Sequence, residues 1–121
     1  MNTTGIGNYG ESAACEYLQS KGYKIIERNY NCKIAEIDII AYDSNDVVCF
    51  VEVKTRKSSQ FGYAYQAVTK EKINRMRKGA VSYIVSKDIK NEVRFDVIEV
   101  YGSLIGDVFV TDSINHFENA F

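Results

Sequence analysis

Two carboxylates and a lysine, set in strand-like surroundings, are the residues of this chain best suited to chemistry. Glu36-Ile37-Asp38-Ile39-Ile40 and Phe50-Val51-Glu52-Val53-Lys54 each read as a strand whose apolar pattern is broken by charge. Side chains alternate faces along a strand, so Glu36 and Asp38 share one face, as do Glu52 and Lys54. Acidic residues are depleted in strands, and a carboxylate removed from water is costly unless paired or bound to metal. Adjacent strands that each present a carboxylate, with a lysine beside one of them, make a site for a hard cation. Mg2+ or Mn2+ suits such ligands, uses one or two carboxylates and keeps several waters. The ion lowers the pKa of a bound water and stabilises charge on a phosphate. Lys54 would position or help deprotonate that water, or neutralise the phosphate in the transition state. The plainer alternative is an ion pair between strands, Glu52 with Lys54 or Asp38 with Arg56, of a kind that is common and weak.

Other residues extend this set. Glu11 stands three, four and seven positions before Ala14, Cys15 and Leu18, which places it on the apolar face of a helix. It is a third carboxylate for the same ion, or the acid of a capping box begun by Asn8. Glu36 is a ligand, an outer acceptor or a salt-bridge partner. His116, the only histidine, lies towards a terminus expected to be mobile and gives no reading. Tyr63 and Tyr65 could stack on bases, with packing as the alternative.

The net charge of −1 argues against a nucleic-acid partner until its distribution is considered. From Lys54 to Lys78 there are eight basic residues and one acid, so that segment carries +7 and the remainder −8. Screening limits charge to a reach of about 8–10 Å, so a local basic face decides phosphate contact. Arg56, Lys57, Lys70, Lys72, Arg75 and Lys78 are the candidate nucleic-acid contacts. The competing account of residues 70–78 is a solvated helix face.

The elements that must position these residues follow from periodicity. A helix is expected over about residues 8–21, stopped by Gly22, with Ala14, Cys15 and Leu18 inward. Strands are expected at 23–30, 34–42 and 47–55, with Asp43-Ser44-Asn45-Asp46 as a turn. The third strand is nearly continuous in apolar residues, which predicts a central, two-sided position. A polar, aromatic loop follows from Arg56 to about Tyr63, with a short helical turn near residues 64–67. A second helix spans 70–86, with Ile73, Met76, Ala80, Tyr83 and Ile84 inward. Strands at 93–101 and 104–110 follow, separated by a Gly102-Ser103 turn. The order is αβββαββ. A helix between the third and fourth strands implies a crossover and a parallel pair.

The 121 residues fit one α/β domain, 1–121, with no proline, repeat or linker. No apolar run approaches the roughly 20 residues that span a bilayer, and the N-terminus lacks a signal-peptide pattern. Cys15, Cys32 and Cys49 are odd in number and have no metal-ligand spacing. Reduced thiols in a cytoplasmic protein are the expectation.

Gly10-Glu11-Ser12-Ala13-Ala14, Arg28-Asn29-Tyr30, Glu36-Ile37-Asp38-Ile39-Ile40, Phe50-Val51-Glu52-Val53-Lys54-Thr55-Arg56, Phe61-Gly62, Arg94-Phe95-Asp96-Val97 and the ending His116-Phe117-Glu118-Asn119-Ala120-Phe121 resemble the YraN-like family of uncharacterised bacterial proteins. Ala35 departs from it, standing where glycine usually precedes the Glu-Ile-Asp run. That family is similar to the restriction-endonuclease-like superfamily with its PD-(D/E)xK pattern, seen also in archaeal Holliday-junction resolvases. The resemblance implies a central mixed sheet of about five strands flanked by helices. By position it makes Asp38 the first acid, Glu52 the second, Lys54 the lysine and Glu11 the extra N-terminal acid, with Ile37 in place of the motif's proline. It also implies a Mg2+-dependent nuclease acting on DNA, in a fold that does not itself guarantee activity. The alternatives are a nucleic-acid-binding module without chemistry and a protein-interaction subunit of a repair or processing complex. A symmetric homodimer would match a two-fold substrate.

Overall fold

The computed structural model describes residues 4–57 and 69–121. The elements are α1 (Thr4–Ser20), β1 (Lys24–Asn31), β2 (Glu36–Tyr42), β3 (Val48–Lys57), α2 (Lys70–Lys87), β4 (Val93–Ile105) and β5 (Val108–Phe117). They build one five-stranded sheet in the order β1-β2-β3-β4-β5. The β3–β4 pair is parallel, as the α2 crossover requires, and the other pairs are antiparallel. The expected order and mixed sheet are therefore present, with β3 in the centre. Val48 to Glu52 is buried without a break.

The helices pack on opposite faces. Ala14, Cys15 and Leu18 of α1 meet Ile39, Ala41, Cys49, Val51, Ile98 and Val100. Ala80 and Tyr83 of α2 meet Ile37, Ile40, Val48 and Phe50. Helix α1 ends as expected: Gly22 is left-handed (φ 90°) and the Tyr23 N–H donates to the Leu18 carbonyl. Thr69 caps α2 by accepting from the Lys72 N–H at 3.1 Å. The Asp43 turn is also as expected, its carboxylate accepting from the N–H groups of Asn45 and Val47. Among the described residues no helix is long and apolar enough to cross a membrane. Cys15, Cys32 and Cys49 are free thiols.

Several boundaries differ from expectation. Helix α1 begins four residues earlier, so Asn8 lies inside it and cannot open a capping box with Glu11. Arg56 and Lys57 belong to β3, opposite Tyr101 and Gly102, rather than to a loop. The largest difference is at the last hairpin. Gly102 and Ser103 lie within β4, and the tight turn is Gly106-Asp107. Gly102 is small for another reason: a Cβ there would lie 2.5 Å from the Val110 carbonyl and 2.6 Å from the Phe109 ring. The fifth strand consequently runs to Phe117 and carries His116 into the fold. The expected loop up to Tyr63, the turn near 64–67, and Tyr63 and Tyr65 lie outside the described residues.

Candidate metal centre

The β2–β3 ladder runs from Tyr42 opposite Val48 to Ile39 opposite Val51 and stops there. The next positions in the same register are Asp38 and Glu52. As the strands part, the Val53 N–H takes a side-chain partner, donating to Asp38 Oδ2 at 2.8 Å. The fork thus exposes two carboxylates to one space while satisfying the backbone.

That space is a cavity of about 190 Å³ on the α2 side, lined by Ala35, Glu36, Asp38, Glu52, Lys72, Arg75 and Met76. Glu52 is 3% exposed, and its Oε2 lies 2.5 Å from Lys72 Nζ and 3.3 Å from Lys54 Nζ. Burial, and then the charge of Glu52, push the Asp38 carboxyl up to about 7, against the pull of the Val53 N–H. Burial also pushes the Lys72 ammonium down, but hydrogen bonding and charge from Glu52 outweigh it and leave Lys72 raised. A pair of close carboxylates held against their own repulsion is a place where positive charge is favourable. In this structure Lys72 supplies it.

Glu11 approaches the fork from the α1 face and does not line the cavity. Its Oε1 is buried without a hydrogen-bond partner. Burial raises its carboxyl, Arg28 opposes this, and the charges of Glu36 and Glu52 add to the rise. Among the described residues no three His, Cys, Asp or Glu side chains close on one ion position. The residues present nonetheless fit a Mg2+-type ion, which needs only one or two carboxylates and completes its shell with water. Asp38 and Glu52 would hold it, with Glu36 at the rim.

The basic residues divide. Lys72 and Arg75 line the carboxylate cavity, and Lys78 lines a separate groove with Arg77. Lys70 and Lys57 are exposed. Arg56 is half-buried and hydrogen-bonds Tyr101, so it is partly engaged in holding β3 to β4.

A second polar cluster went unrecognised in the sequence. Asp96, fully buried on β4, accepts from Arg94, from His116 at 2.8 Å and from the Asn119 N–H at 3.0 Å. Arg94 also binds Asp43 at 2.9 Å and Tyr23 at 2.5 Å. His116 is therefore locked, packed edge-on to Tyr17, and not part of a loose terminus. The available signal was Arg94-x-Asp96, two charges on one face of an otherwise apolar strand. The cluster lies on the α1 face, where Asp96 shares its side with Ile98 and Val100, and it fastens the C-terminal tail. Its Asp96 carboxylate is held by Arg94, His116 and the Asn119 N–H together and is closed to solvent.

The fold and site together define a small α/β protein with a cavity at a sheet fork lined by the carboxylates of Glu36, Asp38 and Glu52 and the cations of Lys72 and Arg75. The chain belongs to the uncharacterised protein family UPF0102, whose model matches residues 10–100. It is 46% identical to a UPF0102 protein of Caldanaerobacter subterraneus subsp. tengcongensis, over 100% of this chain and 98% of the relative. It is 43% identical to UPF0102 proteins of Caldicellulosiruptor saccharolyticus and Clostridioides difficile, each over the whole of both chains.

Proposed function

We propose that this protein is a Mg2+- or Mn2+-dependent endonuclease that hydrolyses phosphodiester bonds in DNA, built on a restriction-endonuclease-like fold. The observation that carries the reading is the shared cavity of Asp38 and Glu52 at the β2–β3 fork, with Lys72 and Arg75 in its wall. Anionic ligands for a cation and cations for a phosphate meet there in one space. A bound divalent ion would supply an activated water and charge stabilisation at the phosphate. Asp38 and Glu52 would fix the ion's place, and the Val53 N–H keeps the Asp38 carboxylate aimed at the fork. Lys54, held beside Glu52, would orient the water or help take its proton. Arg75 would draw the phosphate in. The reading places the protein in the reducing cytoplasm, a compartment in which Cys15, Cys32 and Cys49 would stay free thiols.

The test is to incubate purified protein with branched, nicked and single-stranded DNA in Mg2+ or Mn2+. Cleavage should disappear in Asp38→Ala and Glu52→Ala. Absence of cleavage on every substrate, or equal cleavage by these variants, refutes the reading. DNA binding that survives Asp38→Ala without any cleavage in wild type would identify a binding module instead.

A further inference from the structure

Beside the carboxylate cavity lies a second opening that the proposed chemistry does not use. It has a volume of about 430 Å³ and is lined by Ile34, Arg77, Lys78, Val81 and Ser82. It is a shallow groove, open to solvent over most of its face. Ile34 is 49% exposed and Val81 57% exposed. Isolated exposed aliphatics are ordinary on a surface. Here two of them face one groove from different elements, the β1–β2 connection and α2. Two cationic side chains stand at the same groove.

Placement ties this groove to the cavity. Ala35 lines the cavity and Ile34 lines the groove, so neighbouring residues of one connection border both. Helix α2 supplies the other wall of each. Arg75 lies at the cavity and Lys78 at the groove, three residues apart and so on one flank of the helix. The close approach of the two elements at Ala35 and Gly79 separates the openings: a Cβ on Gly79 would stand 3.0 Å from that of Ala35. A strand whose phosphate sits at Asp38 and Glu52 would pass Arg75 and reach Lys78 next.

We propose that this groove seats an unpaired nucleobase next to the phosphate held in the cavity, so that the protein selects DNA with a single-stranded flank. Carbon from Ile34 and Val81 covers the base, and Arg77 and Lys78 hold the phosphates on its two sides. A base that remains paired cannot enter, because its face is stacked in the duplex. The inference rests on the nuclease reading for the place of the reacting phosphate, but it concerns binding and can be measured without cleavage.

The experiment compares two fluorescein-labelled DNAs of equal length in EDTA: a blunt duplex, and a duplex ending in a single-stranded flap. The flap carries 2-aminopurine at its first unpaired position. Wild type should bind the flapped duplex about fivefold to tenfold tighter and change the 2-aminopurine emission on binding. Ile34→Ser and Val81→Ser, both at exposed positions, should bring the affinity ratio close to one, abolish the emission change and leave blunt-duplex affinity unchanged. An unchanged ratio in both variants, or an equal loss on both DNAs, overturns the proposal. Cleavage of blunt duplex by a wild-type protein with no flap preference overturns this inference alone. Flap-selective binding with no cleavage in Mg2+ supports it and sinks the nuclease reading instead.

Discussion

Lys72 sits where a divalent ion would have to go, and removing it should strengthen metal binding. Its Nζ lies 2.5 Å from Glu52 Oε2. A +2 ion on that carboxylate, with the ammonium left about 4 Å away, would be repelled by about 8 kcal/mol at an effective dielectric of 20. The ammonium must therefore leave, and metal binding carries the cost of breaking its bond to Glu52. A hydrogen bond to a charged group contributes about 1.5–3 kcal/mol. The lower end applies, because the Lys72 side chain is 36% exposed and water screens it. A cost of about 1.5–2 kcal/mol corresponds to about tenfold to thirtyfold in affinity. Lys72→Ala should bind Mn2+ tighter by that factor in calorimetry without DNA, and Lys72→Arg should not. The metal-free protein should lose about 1–2 kcal/mol of stability, since Lys54 at 3.3 Å still partners Glu52. DNA affinity should move the opposite way, because the displaced ammonium is then free to meet a phosphate. Mn2+ affinity in Lys72→Ala that is equal to or below wild type would refute the displacement argument.

Three further outcomes test the scaffold. Arg94→Ala strands the buried Asp96 carboxylate and should cost about 3–5 kcal/mol in urea unfolding at pH 7. Burial alone would raise Asp96, but His116, Arg94 and the Asn119 N–H together hold it below the ordinary carboxylate range. A carboxyl depressed in the folded state stabilises above its unfolded value of about 3.9 and loses that contribution as pH falls through the lower folded value. The loss of stability below about pH 4 should therefore be shallower in Asp96→Asn; curves of identical slope would count against the linkage. Gly79→Ala should lower the melting temperature, because its Cβ would press on Ala35 at 3.0 Å and on Ile37 at 3.4 Å. The double variant Ala35→Gly/Gly79→Ala should recover that loss and keep a helix-propensity gain of about 1 kcal/mol, and failure to recover would show the contact is not the cause.

These predictions draw on features that were unequally legible in the sequence. Asp38, Glu52 and Lys54 could be found by alternation, because strand periodicity fixes which side chains share a face. The inward faces of both helices were equally plain, since Ala14 and Leu18, and Met76 and Tyr83, are spaced by whole turns. Lys72 could be found only as one positive charge among several on α2. What distinguishes it from Arg77 or Lys78 is the azimuth at which α2 lies over the sheet. That azimuth is set by residues far apart in the chain, Gly79 of α2 against Ala35 before β2. The last hairpin was misplaced for a related reason. A glycine-serine pair between apolar runs reads as a turn when local preference is the only guide, yet Gly102 is demanded by the Phe109 ring across the strand. Moving the turn to Gly106 extends β5 by several residues, and that extension carries His116 to Asp96. Periodicity thus locates residues on an element, while contacts between elements decide which of those residues face a common site.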